Sequence, residues 1–391
     1  MYEIECNFAS GYGITLCENP ALDISNGSLS SLIGERRTLM VTTPTVDRLY
    51  GQRLRRHIAA RGLDLDIRVE VLPLSEQDKT MENTLAICAL AKEHGLGRRD
   101  LIVAFGGGVC ADMVTLAASL VRRGIGYACL PTTLVSQIDA SIGLKGGVNF
   151  GGSKNYLGCF KPPSGVLVDP GFLATLPARH LRCGMAEIVK IAVVRDAKLF
   201  SMIERFGPPL IASGFREHVD KGYFILGRSI ELMLEELERN CFEDQGFERL
   251  VDFGHTFSPL LEVKSDYRIA HGEAVAIDMA LSSAIAVEIG LLDRQSFDRI
   301  VGLLLKLGLP IHSELVTPAH MRQAMLDATL HRDRCVNLVV PTSTGSADFV
   351  VSHDTITETV MDSAIEALVG FLECEAIVQS FSMHMREASV R

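Results

Sequence analysis

Two histidines and one glutamate have the types and spacing to hold a metal. His255, in Asp252-Phe-Gly-His-Thr-Phe-Ser-Pro259, and His271, in Ala270-His-Gly-Glu-Ala274, stand sixteen positions apart, both in surroundings expected to be helical. With Glu187 they make a set of two imidazoles and one carboxylate, which leaves positions on a divalent cation open to substrate oxygens. Taken singly, His255 reads more simply as a hydrogen-bonded core residue and His271 as a helix N-terminal one; the set points to a metal. Glu187 and Lys190 are three positions apart and so share a helix face. A surface ion pair is the usual reading of that spacing, but Gly184-Met-Ala before them and the Ile-Val and Ile-Ala-Val-Val around them are too apolar for a solvated face. The spacing therefore predicts a buried pair.

A second group of residues suits an anion. Gly106-Gly-Gly-Val-Cys-Ala-Asp112 follows the apolar run Leu101-Ile-Val-Ala-Phe105 and precedes apolar positions at helical spacing. That order reads as strand, glycine turn and helix N-terminus, where backbone N–H groups and the helix dipole favour a pyrophosphate. A tight turn in a nucleotide-free α/β domain fits the turn alone equally well, since Gly-Gly-Gly departs from the Gly-x-Gly-x-x-Gly pattern. Lys145, Lys154 and Lys190, with Arg123, Asp139 and Asn155, interrupt apolar or glycine-rich surroundings. Any one of these lysines can reach solvent from a loop. As a group they predict an anion-binding cleft, because basic side chains are rarely buried without a partner. The Cys110 thiol inside the turn reads as packing.

The elements that must position these residues follow from periodicity. Strands are expected at 38–42, 67–72, 101–105, 127–130 and 165–169, with helical spacing over 46–61 and 81–94 between them. Alternation of this kind predicts a mainly parallel α/β sheet with ligands at the strands' C-terminal ends. After Asp169-Pro-Gly-Phe the pattern turns helical, with long stretches over 186–203, 223–237 and 271–292. Leu338-Val-Val-Pro341 is the exception, a short strand, and the tail beyond about residue 375 has no evident anchor. A chain of 391 residues fits two domains, 1–178 and 179–391.

Composition removes several classes of function. Apolar residues make up 47% and charged residues 22% of the chain, as in a folded globular protein. The net charge of −10 and the short, scattered pairs Arg36-Arg37, Arg55-Arg56 and Arg122-Arg123 argue against a nucleic-acid surface. No membrane-spanning run or signal peptide is evident, so a cytoplasmic enzyme is expected, and ten cysteines without CxxC pairs read as reduced thiols.

Gly-Gly-Gly-Val-x-x-Asp, Pro131-Thr-Thr-Leu134, Ser136-Gln-Ile-Asp-Ala-Ser-Ile-Gly-Leu-Lys-Gly-Gly-Val-Asn149, Lys154-Asn155, Ala186-Glu-Ile-Val-Lys190, Gly-His-Thr-Phe and His-Gly-Glu-Ala-Val together resemble the sugar phosphate cyclases, the family of 3-dehydroquinate synthase. The match runs from about Val41 to Pro341 in order and spacing. It implies a Rossmann-like NAD-binding α/β domain, an all-α C-terminal domain, a cleft between them, bound NAD, a divalent metal (zinc, with cobalt as an alternative), a sugar phosphate substrate and a homodimer. It further implies that Glu187, His255 and His271 are the metal ligands. NAD would be held by Glu76, Lys79, Gly107, Gly108, Val109, Cys110, Ala111, Asp112, Thr132, Thr133, Lys145 and Lys154. Lys145, Asn155, Lys190 and Arg123, the last from its own or the partner subunit, would bind phosphate or ring oxygens, with Asp139 orienting a lysine.

The departures from the family pattern bear on the substrate. Dehydroquinate synthases resemble Asn-Leu-Gly-His-Thr-Phe-Gly-His over the first metal histidine, where this chain has Asp252 and Pro259. The segment Thr43-Pro44-Thr45 lacks the family's Asp-Glu-Asn, and His331-Arg332-Asp333 replaces a double lysine. A carboxylate at Asp252 accepts hydrogen bonds from hydroxyl groups and repels an acid substrate. The Asp and Pro combination is similar to that of the 2-epi-5-epi-valiolone synthases. By that likeness the chain is expected to cyclise sedoheptulose 7-phosphate by transient oxidation with NAD, phosphate elimination, reduction, ring opening and aldol closure. Asp252, Pro259 and His331 would control stereochemistry. Alternatives are a 2-epi-valiolone or desmethyl-4-deoxygadusol synthase, a 3-dehydroquinate synthase, and, from another class, a metal-dependent polyol dehydrogenase, which needs no lysine-rich phosphate cleft.

Overall fold

The structure is a computed structural model that describes residues 11–62, 66–243, 246, 248–331 and 335–389, the side chains of 331 and 375–389 excepted. The chain divides into two compact units, Met1–Leu181 with Ser213–Ile230, and Arg182–Ala212 with Glu231–Arg391.

The first unit contains β1 (Ile14–Leu16), α1 (Ser28–Ile33), β2 (Thr38–Thr42), α2 (Pro44–Val46), α3 (Gln52–Ala60), β3 (Ile67–Val71), α4 (Met81–Glu93), β4 (Leu101–Gly106), α5 (Gly108–Leu120), β5 (Gly126–Pro131), β6 (Lys145–Phe150), β7 (Ser153–Phe160) and β8 (Val166–Val168). Six strands form one parallel sheet in the order β1-β8-β5-β4-β2-β3. All residues of β2, β4 and β8 are buried, as in a sheet covered on both faces. That is why these strands read as unbroken apolar runs. Leu29, Ile33, Met40, Leu54, Val103 and Leu167 pack with the ring cluster of Tyr50, Phe105 and Phe172 to form its core.

Two features of this unit went unread in the sequence. β1 is a three-residue strand paired only with β8, too short to show a period. β6 and β7 form a separate antiparallel hairpin whose Gly146, Gly147 and Gly158 resemble loop composition. Their glycines permit close packing. A Cβ on Gly146 would lie 2.5 Å from Thr115 Cβ and 2.9 Å from the Asp112 carbonyl, both on α5, and one on Gly158 would lie 2.7 Å from the Gly146 carbonyl.

The second unit is helical. Across and beyond the junction run α6 (Ala178–Arg195), α7 (Ala197–Ser213), α8 (Val219–Arg239), α9 (Ser258–Lys264), α10 (His271–Glu288), α11 (Arg294–Lys306), α12 (Pro318–His331), β9 (Leu338–Ser343), β10 (Ser346–Val350) and α13 (Glu358–Ser389). α10 is buried continuously from Ala274 to Ala286 and packs on α9, α11, α13 and β9. The helical stretch expected over 186–203 is two helices. Asp196 separates them and caps α7, its Oδ1 accepting the N–H groups of Lys198 and Leu199 at 2.9 Å. The short strand expected at Leu338–Pro341 is β9, and its antiparallel partner β10 is a second departure from an all-α unit. α13 continues through the tail that had shown no anchor.

Because the hairpin lies so close to α5, Gly146→Ala is expected to lower unfolding free energy by about 1–3 kcal/mol through overpacking. Urea denaturation checks it; an unchanged midpoint would mean that the hairpin does not pack on α5 as described.

Candidate active site

Glu187 lies on α6 in a wholly buried segment, with no solvent exposure of its own. Its two oxygens face different partners. Oε2 is 2.6 Å from the buried Lys190 ammonium, and Oε1 is 3.1 Å from His271 Nε2 and 3.9 Å from His255 Nε2. Beyond Lys190 and the two imidazoles, neither oxygen has a hydrogen-bond partner among the described residues. The other nitrogen of each imidazole is committed. His255 Nδ1 donates to the Phe253 carbonyl at 3.1 Å, and His271 Nδ1 to Glu262 Oε1 at 3.0 Å. Both Nε2 atoms therefore turn toward Glu187, and the three ligand atoms lie within 4.8 Å of one another. A donor set so oriented, with two imidazole nitrogens converging on one buried carboxylate oxygen, fits a zinc-like cation.

Proton placement follows from the same contacts. Burial raises the Glu187 pKa, but Lys190 and the two imidazoles outweigh it and hold the carboxyl well below its ordinary value. Burial also lowers His271, yet its hydrogen bonds to Glu187 and Glu262 carry it up to about 9. His255 is driven down to about 4 by burial and by Lys190, against the pull of Glu187. These contacts favour the proton on His271 and the neutral form of His255.

Local backbone explains the approach of the ligands. His255 sits on a loop before α9 rather than in the expected helical surroundings. Gly254 makes the turn at φ +76, with no room for a Cβ beside Val275 and Met279. His271 opens α10, and a Cβ on the next residue, Gly272, would overlap the Cys183 backbone on α6. That close approach brings His271 to Glu187. Glu262, on α9, was not singled out in the sequence; its only signal is its place nine residues before His271.

In the first unit the glycine turn is as expected a strand-to-helix junction. Gly107 caps α5 without a side chain, so the helix's first N–H groups are open to an anion. The reason for the glycines differs in part from the expected one. Added Cβ atoms would meet the chain itself, at 2.8 Å from Cys110 Cβ for Gly106, 3.0 Å from Thr133 Cγ2 for Gly107 and 3.2 Å from Ala140 Cβ for Gly108. Val109, Cys110 and Ala111 form the first turn of α5, with the Cys110 thiol buried against the Val41 carbonyl and its pKa raised by burial. Thr132 N–H donates to the Gly106 carbonyl at 2.9 Å, and Thr133 Oγ1 accepts from Ser136 N–H.

Lys79 is 3% exposed and its ammonium bridges Asp112 Oδ2 and Asn155 Oδ1, each at 2.5 Å. Burial raises the Asp112 pKa, and Lys79 and, more weakly, Lys154 oppose it. Since Lys79 takes the Asn155 oxygen, the amide nitrogen is left as the outward donor. Asn155 itself holds a left-handed φ of 53. Asn149, quoted in the sequence but given no role, organises this group: it donates to Glu76 Oε1 at 3.0 Å and accepts the Asn155 N–H at 2.9 Å.

The remaining predicted residues are dispersed. Lys145 is exposed at the start of β6, and Asp139 is half-buried in the turn Ser136–Ala140. Arg122 and Arg123 are exposed with φ of 56 and 66, a costly backbone for non-glycine residues. Pro259 is exposed in the first turn of α9. Asp252 has Arg249 at 3.8 Å, and Arg249 also pairs with Glu243. Its negative charge is thus partly balanced, which weakens the repulsion expected of it. His331 ends α12 with its side chain outside the described residues, where Arg332 and Asp333 also lie.

A parallel sheet with an uncapped, glycine-opened helix, together with a helical unit that presents two imidazoles and a carboxylate, defines a metal-dependent α/β enzyme with an anion-binding turn. Sequence models of the 3-dehydroquinate synthase N-terminal and C-terminal regions match residues 69–183 and 184–333. The chain belongs to the 3-dehydroquinate synthase family. It is 43% identical over 349 residues to the 2-epi-5-epi-valiolone synthase of Streptomyces glaucescens, covering 88% of each chain. To the 3-dehydroquinate synthase of a Nitratiruptor species it is 35% identical over 360 residues, 92% of this chain and 97% of the relative. Among solved structures, 2-epi-5-epi-valiolone synthase from Streptomyces hygroscopicus subsp. jinggangensis 5008 with NAD+ and Zn2+ bound superposes with a TM-score of 0.88 at 39% identity, covering 94% and 99% of the chains. A 2-deoxy-scyllo-inosose synthase, at 21% identity, shares the fold with a TM-score of 0.75, over 90% and 96% of the chains.

Glu262→Gln is expected to weaken metal binding about 10–100-fold, as loss of a carboxylate behind a ligating histidine does. Because metal must displace the proton on His271, apparent affinity should also fall as pH drops below about 9. Competitive titration with a chromophoric chelator across pH measures both. A flat pH profile with unchanged Glu262→Gln affinity would contradict the ligand geometry.

Proposed function

We propose that this member of the family is a 2-epi-5-epi-valiolone synthase, converting sedoheptulose 7-phosphate to 2-epi-5-epi-valiolone with release of phosphate. The observation that carries the reading is the His255 loop, with a complete metal-binding set flanked by Asp252 and Pro259 where the dehydroquinate synthase pattern has an amide and an imidazole. Relatives bearing that activity in their names support it, at 43%, 42% and 42% identity.

Glu187, His255 and His271 would hold the metal, and the glycine turn with Glu76, Lys79, Asp112, Thr132, Thr133, Lys145 and Lys154 would hold NAD. When bound, NAD accepts and returns a hydride and the metal polarises the substrate oxygens at the carbon being oxidised. Glu187 divides its carboxylate between ligation and Lys190, so Lys190 is held as a charged donor for substrate oxygens. Asn155 presents its amide nitrogen to phosphate, with Lys145 supplying charge and Asp139 orienting a lysine. Asp252 accepts from substrate hydroxyls, with Arg249 beside it.

The reading includes a cytoplasmic homodimer in aminocyclitol antibiotic biosynthesis, with Arg123 of each subunit serving the other's phosphate site. The exposed, left-handed Arg122-Arg123 turn supports an arginine used outside its own subunit. No helix among the described residues is long and apolar enough to cross a membrane. Identity to 3-dehydroquinate synthases, 40% over 296 residues to that of a Sulfurovum species, keeps that activity as the second reading.

Incubation with sedoheptulose 7-phosphate, NAD and zinc or cobalt is expected to release phosphate without accumulating NADH, and NMR should identify 2-epi-5-epi-valiolone. One equivalent of NADH per product would instead indicate a polyol dehydrogenase, and efficient turnover of 3-deoxy-arabino-heptulosonate 7-phosphate would indicate the second reading. Glu187→Ala, His255→Ala and His271→Ala should each lose both metal and turnover; full metal content in all three would show that the ligands lie elsewhere.

A further inference from the structure

Asp278 is 1% exposed, lies two turns beyond His271 on α10, and has no role in the chemistry described above. Its Oδ2 accepts two consecutive backbone N–H groups from the loop that carries His255, those of Phe257 at 2.5 Å and Ser258 at 2.9 Å. Its Oδ1 accepts the Ser282 hydroxyl at 3.0 Å. The same loop is tied at other points. Ser258 Oγ donates to the Gly254 carbonyl at 2.7 Å, the Phe257 carbonyl meets His320 Nε2 of α12 at 3.3 Å, and Gly254 lies against Val275 and Met279 of α10.

These contacts join the two histidine-bearing elements. α10 begins with His271, and the loop held by Asp278 presents His255, so that the two imidazole rings stand 5.4 Å apart, edge to face. α9, which follows the loop, has no side-chain cap from its own preceding residue; Phe257 and Ser258 N–H would be buried donors without Asp278. Ser258, where the dehydroquinate synthase pattern has glycine, adds the internal tie to Gly254. Pro259, where that pattern has histidine, stands at the second position of α9, where a missing N–H costs no intrahelical bond.

We propose that Asp278 is a positioning residue that sets the separation and orientation of the metal-binding imidazoles by fastening the His255 loop to the helix that carries His271. The carboxylate acts through backbone acceptance, so a neutral side chain of the same shape, with one oxygen able to accept both N–H groups, retains the function. This inference rests on the assignment of Glu187, His255 and His271 as ligands.

The test uses the whole chain loaded with cobalt, whose visible absorption reports ligand geometry independently of turnover. Asp278→Ala is expected to weaken cobalt affinity at least tenfold and to change the shape of its absorption band, with Asp278→Asn within about threefold of wild type. Ser282→Ala, which removes only the third contact, should bind cobalt as wild type does. A folded Asp278→Ala protein with wild-type affinity and spectrum would overturn the proposal, as would an Asp278→Asn protein as impaired as the alanine variant. If Asp278→Ala does not fold, amide exchange in the wild-type protein decides. Phe257 and Ser258 should exchange as slowly as the interior of α10, and exchange at open-loop rates would refute the clamp. Cobalt retained by Glu187→Ala with an unchanged spectrum would instead remove the ligand assignment on which this rests.

Discussion

A carboxylate with no solvent exposure, on a helix segment that is otherwise apolar, is the constraint around which the second unit is built. Burial of an isolated charge costs several kcal/mol even after relaxation, and only paired charges and hydrogen bonds offset it. Glu187 is compensated by Lys190 on one oxygen and by two imidazoles beside the other. Each partner imposes a packing demand. Lys190 must be buried with it, which fixes α6 as an internal helix. His271 reaches it only because Gly272 lets α10 touch the Cys183 backbone, and His255 only because Gly254 lets a loop lie on Val275 and Met279. The continuous burial of α10 follows, since one helix has to accept α9, α11, α13 and β9 around it.

The first unit solves a similar problem with the same kind of pair. Lys79, nearly as buried as Lys190, is held between Asp112 and Asn155. There the charge pair orients an amide near the turn of the β6–β7 hairpin; in the second unit it divides a carboxylate between an ammonium and two imidazoles. In both, a lysine that would be unfavourable alone becomes the part that fixes a neighbour's direction, because its ammonium cannot leave without stranding a buried acceptor. Asn149 performs the neutral version of this task between Glu76 and the backbone of Asn155.

What the sequence made legible were residues whose type is costly where it stands: Glu187 and Lys190 in apolar surroundings, two histidines beside glycines, a glycine run after a β-rich stretch. The parallel strands were legible because burial on both faces leaves an apolar run. The supporting residues were not. Glu262, Asn149 and Asp278 act through contacts 9 to 73 residues distant in the chain, and no local pattern encodes those partners. α10 is buried over most of its circumference, so Asp278 interrupts no polar face that could mark it. Gly146 and Gly158 hid the β6–β7 hairpin because the small residues that let it lie on α5 are the ones that signal loops. His255 was expected in helical surroundings because apolar spacing on both sides continues through a turn that only Gly254, at φ +76, discloses.

Charge balance at Glu187 connects the fold to the kind of ligand it accepts. Without metal, Lys190 and protonated His271 oppose Glu187 and Glu262, so these four side chains sum to zero. If the proposed ligands hold a divalent cation in place of the His271 proton, the same group would have one positive charge in excess, beside apolar helix segments where Coulomb energies are larger than in water. Such a site favours a ligand oxygen that carries or develops negative charge, and favours it more in the charged state than in the neutral one. That preference is the condition for stabilising a reacting state rather than binding substrate uniformly. Asp252 shares Arg249 with Glu243, so these three side chains together carry one net negative charge. On the reading proposed above, selection between a hydroxylated sugar and a carboxylic acid would rest on that negative charge together with the donors and acceptors each substrate brings. A carboxylate acceptor at 252 would be matched by substrate hydroxyls, whereas an acid would bring acceptors to a place that offers no imidazole or amide donor at 259 or 252.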